Sequence, residues 1–289
     1  MKKKRVALIT YSGLPNGADS ERLMLPYLAA ADIEAEFVDW RTACDFRQFD
    51  LAVLRSCWDY HLYSAEFDGW LRRVFAETQV LNEPETVLWN RNKFYLREME
   101  AQGIAIAPTV FVAAGGAISV EDRARIVSWQ NVVVKPAVSA SAHNTWLVES
   151  TALLADSELA GKMKGEAFLV QQFIPEIQTQ GEISFAYIDG RYSHAALKRP
   201  AAGDFRVQQE HGGSSELFVP SADLLQQVDA IARAVPQVRG SLYCRIDVVG
   251  RAGTLLLMEL ELIEPELYLT LAEGSAERLA KAIVSRLPE

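Results

Sequence analysis

The stretch Tyr243-Cys-Arg-Ile-Asp247-Val-Val-Gly-Arg-Ala-Gly253-Thr-Leu-Leu-Leu-Met-Glu259-Leu-Glu261-Leu-Ile-Glu264-Pro-Glu266 reads as two apolar strands joined by a glycine-bounded turn. Side chains alternate along a strand, so Glu259 and Glu261 share one face while Leu260 and Leu262 point to the other. A three-residue loop over 251–253 pairs Gly250 with Thr254 and sets Asp247 opposite Leu257, on the face of Glu259 and roughly 7 Å from it. Three carboxylates on one patch repel one another, and oxygen-only ligation is what Mg2+ takes, usually shared with substrate phosphates. The competing reading is the solvated face of an edge hairpin. Against it stands the run Leu255-Leu-Leu-Met258, of the kind found in a strand covered on both sides, which places the acids in a cleft.

The chain around this hairpin has 289 residues, enough for two or three structural units, and its 49% hydrophobic and 23% charged residues suit a well-cored globular protein. A net charge of -9 and a pI near 5.1 argue against a nucleic-acid partner, which needs surplus Lys and Arg. The basic run Lys2-Lys-Lys-Arg5 leads directly into the apolar Val6-Ala-Leu-Ile9 and reads as a solvated strand end. No apolar segment reaches the ~20 residues that cross a bilayer or resembles a secretory core, so a cytoplasmic protein with no membrane partner is expected. Cys44, Cys57 and Cys244 lack CxxC spacing, which fits a reduced compartment, with Cys244 a core residue. His61, His143, His194 and His211 are scattered, and no metal is assigned to them.

Strand, helix and strand succeed one another over residues 6–10, 20–31 and 34–39, with a further strand at 51–55, which implies a parallel sheet. Ligands collect beyond the carboxyl ends of such strands, where this chain has Arg55-Ser-Cys-Trp-Asp-Tyr-His61. Arg55 suits a carboxylate, and Trp58 and Asp59 are further candidate substrate contacts. The plainer reading makes this segment a helix entry, with Asp59 or Ser64 as cap and Trp58 merely packed. A helix is expected from Trp89 to Gly103, with Lys93 near its start, where the helix dipole disfavours a cation unless an anion is near. Val132-Val-Val-Lys135-Pro136 is a buried strand ending in a lysine that must snorkel or meet negative charge. Phe168-Leu-Val-Gln171-Gln172-Phe173-Ile174-Pro is another buried strand, followed by Gly181-Glu182 and by a polar loop from Asp204 to Gly213.

Lys93, the Val-Val-Val-Lys135-Pro motif, Val-Gln-Gln-Phe-Ile174-Pro, Gly181-Glu182, Lys198-Arg-Pro-Ala-Ala-Gly-Asp-Phe-Arg206, Gly212-Gly213, Ile-Asp247-Val-Val-Gly and Glu259-Leu-Glu261 occur in the order found in ATP-grasp enzymes. The resemblance covers nearly all of the chain. It is closest to the branch with bacterial glutathione synthetase and the ribosomal-protein glutamate ligases, and Arg55 to His61 resembles the subgroup with the cycloserine-forming synthetase. It implies an α/β (α+β) ATP-grasp fold: a Rossmann-like unit over 1–85, a central lid over 86–165, mobile from about 110, and a metal-binding unit over 166–289. It also implies ATP and two Mg2+ ions as cofactors, with relatives often dimers or tetramers.

Carried over by resemblance, Lys93 and Lys135 neutralise ATP phosphates, Gln171, Gln172, Phe173 and Ile174 border the adenine, and Glu182 takes the ribose hydroxyls. Lys198 and Arg206 reach the transferred phosphoryl group. Asp247, Glu259 and Glu261 hold the metals with Gln208 near the second, and Gly212-Gly213 forms part of the acceptor site. The chain departs from the family in three places. Its phosphate loop is Ser139-Ala-Ser-Ala-His143-Asn-Thr rather than glycine-rich, Ser184 stands where glutathione synthetases have a basic residue, and Glu264 and Glu266 replace small polar residues as expected partners of an acceptor amine. The reaction implied joins a small-molecule carboxylate to an amine, on an amino acid or small peptide, through an acyl phosphate with ADP and phosphate released. Two alternatives stand beside it: a ring-closing synthetase of specialised metabolism, and a nucleotide-binding module without turnover, which predicts loss of a metal acid.

Overall fold

Short apolar runs at Lys4–Thr10 (β1), Ile33–Asp39 (β2), Leu51–Leu54 (β3) and Gln79–Leu81 (β4) pair in parallel, in the order β2-β1-β3-β4, in a computed structural model of the chain. The structure describes residues 3–155 and 165–288, so Lys2 and the end of the expected lid, 156–164, lie outside the described residues. The helix Ser64–Glu77 buries Phe67, Trp70, Leu71 and Val74 on one face of the sheet. The last helix, Ser275–Ser285, packs Leu279 and Ile283 against Val6, Leu8 and Val53 on the other. Its far position in sequence hides this role, because nothing local to residues 275–285 says which sheet they cover.

Antiparallel pairs build the two other sheets. One orders Thr109–Val112 (β5), Asn131–Pro136 (β6), Trp146–Glu149 (β7) and Phe168–Gln172 (β8) as β5-β8-β6-β7. Thus β8, on the far side of the expected boundary at 165, pairs inside the middle sheet. The other orders Glu182–Ile188 (β9), Arg191–Arg199 (β10), Ser214–Phe218 (β11), Tyr243–Arg251 (β12) and Thr254–Glu261 (β13) as β11-β10-β9-β12-β13. Phe185, Cys244, Ile246, Val248, Leu257 and Leu260 pack beneath the helix Ala222–Ala234, leaving the opposite face of this sheet for polar side chains.

Two expected helices are broken. Residues 20–31 form Asp19–Arg22 and Leu25–Ala30, the second with Pro26 in its first turn, where a missing N–H costs nothing. The helix expected from Trp89 to Gly103 is instead Pro84–Asn90 and Tyr95–Ala101, with Lys93 in the break. The reason is tertiary: the Lys93 N–H donates to Ala137 O at 2.8 Å instead of joining a helical ladder. The outer edge of β13 is covered rather than solvated. Leu257 N–H donates to Ala105 O at 2.8 Å, the Asn90 amide donates to Leu260 O and accepts from Leu262 N–H, both at 2.7 Å, and Asn82 donates to Leu262 O at 2.7 Å. Such amides supply what a neighbouring strand would, since buried backbone groups need partners.

Candidate active site

The β12–β13 hairpin turns in two residues, Ala252 and Gly253, both at positive φ, and pairs Arg251 with Thr254. A bulge follows, because Val248 faces Leu257 while Asp247 faces Glu259, leaving Met258 as the extra residue. Asp247 is therefore directly opposite Glu259, not diagonal to it as the three-residue loop predicts. The bulge also shifts the alternation: Leu256 and Met258 join the apolar cluster of Ile174, Ile177, Val207 and Val249, while Glu259 and Glu261 keep to the same open face. One strand thereby supplies both an apolar wall and, beyond it, two acids.

This face and the middle sheet enclose a cleft of about 380 Å³. Lys93, Lys135, Gln171, Gln172, Phe173, Ile174, Glu182, Lys198, Arg206, Gln208, Asp247, Glu259, Glu261, Glu264, Glu266 and Trp58 all line it. Four expected contacts do not. Arg55 is fully buried away from the cleft, paired with Glu21 at 3.2 Å and stacked on Tyr243. Asp59 stands at the N-cap of a short 3-10 turn, Tyr60–Tyr63, but its side chain makes no cap bond and instead accepts from Trp40 Nε1 at 2.7 Å. Gly212 and Gly213 shape their loop from behind: a Cβ on Gly213 would lie 2.2 Å from Val207 O, so only glycine allows that approach.

Four cations of the cleft, Lys93, Lys198, Arg206 and Arg245, each have an acid within ion-pair distance. Lys198, on β10, contacts Glu182 and lies 2.9 Å from Asp247. Arg245 donates to Asp247 at 2.9 Å and pairs with Glu261, and Ser184 Oγ donates to Asp247 at 2.6 Å. Lys93 Nζ bridges Glu259 at 2.9 Å and Ser139 O at 2.7 Å. Burial opposes the charge on Lys198, yet Asp247 and Glu182 hold its pKa above the ordinary lysine value. Burial likewise opposes ionisation of Asp247, but Arg245 and Lys198 keep its carboxyl below the usual range. Lys93 and Lys135 do the same for Glu259. Lys135 itself is lowered, chiefly by burial. At the other end Glu261 is pushed up to about 7, by burial and then by Glu259 and Asp247 against the pull of Arg245. Glu264 is pushed up to about 8 by burial and then by Glu261.

Arg206 sits on the outer rim, held by Asp204 at 2.8 Å, a pairing that lowers the Asp204 pKa. The apolar end is a slot between Phe173 and Phe205, whose rings meet edge to face at 6.4 Å, and Met258. Gln171 donates to Thr109 and Gln172 accepts from Arg251, both at 3.1 Å. The glycine-poor loop after β6 does border the cleft through Ser139, Ala140, Ser141, Ala142 and Thr145. Ser141, Ala142 and Asn144 adopt positive φ without glycine, and Val138 and Ala140 pack on the core of the first unit.

Among the described residues, no three acid, His or Cys side chains converge on one point that could hold a metal. Asp247, Glu259 and Glu261 share a wall but are held by cations: Glu259 by Lys93, Glu261 by Arg245, and Asp247 by both Arg245 and Lys198. Their chemistry nonetheless fits Mg2+, being all oxygen and adjacent to cations that phosphates could engage in exchange. Sequence reasoning missed Arg245, although its place two residues before Asp247 puts it on the same strand face. It also missed Tyr60, Phe205 and Tyr268.

An apolar slot leading to lysines and then to acids is an arrangement into which a nucleoside triphosphate would fit. Residues 111–266, more than half of the chain, match the ATP-grasp domain of prokaryotic glutathione synthetase, and the chain belongs to that ATP-grasp family, an ATP-binding ligase. Residues 6–82 match the N-terminal domain of D-cycloserine synthetase DcsG. The cycloserine biosynthesis protein DcsG of Streptomyces lavendulae is 29% identical over 272 residues, covering 88% of this chain and 89% of that protein. A crystal structure of D-cycloserine synthetase DcsG superposes with a TM-score of 0.85 at 25% identity, covering 98% of this chain and 100% of that one. The D-alanine–D-alanine ligase of Bacillus anthracis shares the fold, with a TM-score of 0.70 at 15% identity over 98% of this chain and 96% of its own. No helix among the described residues is long and apolar enough to cross a membrane.

Proposed function

We propose that this ligase activates a small-molecule carboxylate by phosphorylation from ATP and joins it to an amine. The observation that carries the reading is the meeting of Lys93, Lys135 and Lys198, from three separate parts of the chain, with Asp247, Glu259 and Glu261 in one cleft. The Phe173, Ile174 and Met258 slot receives the adenine, with Gln171 and Gln172 at its edge, and Glu182 takes the ribose. Lys93 and Lys135 meet the phosphates. Asp247, Glu259 and Glu261 would hold two Mg2+ ions with Gln208 near the second, and bound Mg2+ supplies charge screening of the triphosphate.

Attack of a carboxylate oxygen on the γ-phosphorus brings two anions together. Lys198 and Arg206 oppose that repulsion and orient the transferred group. The bond from γ-phosphorus to the bridging oxygen breaks, ADP leaves, and an acyl phosphate remains on the substrate. The amine nitrogen then attacks the acyl carbon, phosphate departs with the bonding pair, and the amine loses a proton, which Glu264 or Glu266 would accept. The loop over 137–145 and the lid exclude water, which would otherwise hydrolyse the acyl phosphate.

A ring-closing version, in which carboxylate and amine belong to one molecule, is supported by similarity to DcsG along nearly the whole chain. A cytoplasmic setting accords with the free cysteines. The test is release of phosphate and ADP from ATP, Mg2+ and a panel of amino acids and amino-acid derivatives. Release that depends on the acceptor supports the ligase, and nucleotide binding without release under any acceptor leaves a module without turnover. A single sufficient substrate supports ring closure, whereas a strict need for two distinct substrates rejects it.

A further inference from the structure

The segment after β13 carries Glu264 and Glu266 into the cleft without belonging to a helix or strand, so its backbone has no ladder to hold it. Side chains hold it instead. Each carbonyl over 262–267 accepts from a different one: Leu262 O from Asn82 at 2.7 Å, Ile263 O from Tyr243 at 2.8 Å, Glu264 O from Trp58 Nε1 at 2.9 Å, Pro265 O from Arg55 at 2.9 Å, Glu266 O from Arg245 at 3.1 Å, and Leu267 O from His194 Nε2 at 2.7 Å. The Glu266 carboxylate is tied as well, accepting from Ser20 at 3.0 Å and from Tyr268 N–H at 2.6 Å. The Glu264 carboxylate is different: the residue is 8% exposed and its carboxylate faces the cleft with no hydrogen bond from another residue's side chain and no ion pair among the described residues. An unpaired buried carboxylate is expensive, and it stays in place only if its backbone is fixed by other means.

We propose that Arg55 and Trp58 are positioning residues, which grip the carbonyls of Pro265 and Glu264 from the first unit so that the Glu264 carboxylate stays aimed at the acceptor end of the cleft. This explains why Arg55 lies wholly buried although its segment borders the site. Its guanidinium spends one donor on Pro265 O, is neutralised by Glu21, and rests on the Tyr243 ring at 4.6 Å. Glu21 is fixed in turn by Ser56 Oγ at 2.9 Å and by Ala18 N–H at 3.2 Å. The first unit thus acts on the reaction through the backbone of residues 264–265. The role of the grip in catalysis rests on the ligase reading above, but the grip itself does not.

Two measurements separate those claims. The first is amide hydrogen exchange, read by mass spectrometry, over residues 263–268 of the full chain in Trp58→Phe, in Arg55→Lys and in the double variant Arg55→Met with Glu21→Met. The double variant removes both charges, so misfolding from an unpaired buried Glu21 is avoided. Loss of a donor to the strap is expected to speed exchange there about tenfold, with β12 and β13 unchanged and Arg55→Lys close to wild type. Unchanged exchange at 263–268, or equal acceleration throughout the last sheet, overturns the proposal. The second is steady-state phosphate release with the amino acid of the panel that gives the fastest wild-type rate. Trp58→Phe and the double variant should raise its KM about tenfold while the KM for ATP stays within about twofold. Equal loss for both substrates also overturns the proposal. Absence of release from wild type would refute the ligase reading, while the exchange result would still decide the grip.

Discussion

Two regions bury charge, and they do it differently. In the first unit Arg55 and Glu21 are 0% and 1% exposed, packed with an aromatic ring, the Pro265 carbonyl and Ser56, and neither lines the cleft. In the cleft, Lys93, Lys198 and Arg245 hold Glu259, Asp247 and Glu261 on a wall that borders open volume. A closed pair can only orient what it touches. An open set can exchange partners, its cations turning to phosphates and its acids to metal. Buried pairs are poor evidence of stability in either place, because desolvation offsets their attraction. What distinguishes a functional pair from a structural one is therefore access.

The largest effect should come from breaking the open set. Lys198→Met is expected to lower acceptor-dependent phosphate release by about 10²–10³-fold, because on the proposed reading Lys198 is the preorganised cation that meets the transferred phosphoryl group. Arg55→Met probes the closed pair: leaving Glu21 unpaired should cost about 3–5 kcal/mol in chemical denaturation, and adding Glu21→Met should restore most of it. For the open pairs no such rescue of activity is expected.

A pH effect sharpens the contrast at a smaller scale. Glu264 is raised from 4.5 to about 8 by burial, and Glu261 to about 7. A carboxyl whose folded pKa is raised costs nothing below its unfolded value. Its ionisation then costs increasing stability as pH rises from about 4.5 through the folded pKa, because the folded state binds more protons than the unfolded one in that window. The ligand-free wild type should therefore lose thermal stability relative to Glu264→Gln between about pH 5 and 8, and a constant difference across that range would contradict it. The smallest effect belongs to the rim, where the Asp204–Arg206 pair is partly exposed. Asp204→Ala should change stability by only about 0–1 kcal/mol while altering phosphate release through Arg206, checked by thermal unfolding beside turnover.

Much of the open set was legible in the sequence, because strand alternation fixes which residues share a face. The pairing of Glu259 with Glu261 on one face and the lysine ending an apolar strand at Lys135 were readable from pattern alone, whereas the run from Gln171 to Ile174 was assigned to a site only through the family resemblance; all of these residues line the cleft. The same rule reaches Arg245, two residues before Asp247. The bulge at Met258 was not legible, since no glycine or proline marks it, and it moved Asp247 from a diagonal to a direct neighbour of Glu259. The break at Lys93 was hidden for a similar reason, its N–H being claimed by Ala137, 44 residues on. Arg55 was misjudged because a charge ending a buried strand at a crevice resembles a ligand contact. Its true partner, Glu21, lies on a different element, and only tertiary packing brings the two together. Side-chain clips such as Asn82 and Asn90 carry no local pattern at all.

The central claim is that lysines and acids distant in sequence serve one Mg2+-bound triphosphate. Calorimetric titration of ATP with and without Mg2+, into wild type and Glu259→Gln, tests it most directly. The account predicts that Mg2+ tightens nucleotide binding in the wild type and that this gain disappears in Glu259→Gln while the fold is kept. An undiminished Mg2+ gain in that variant would contradict it.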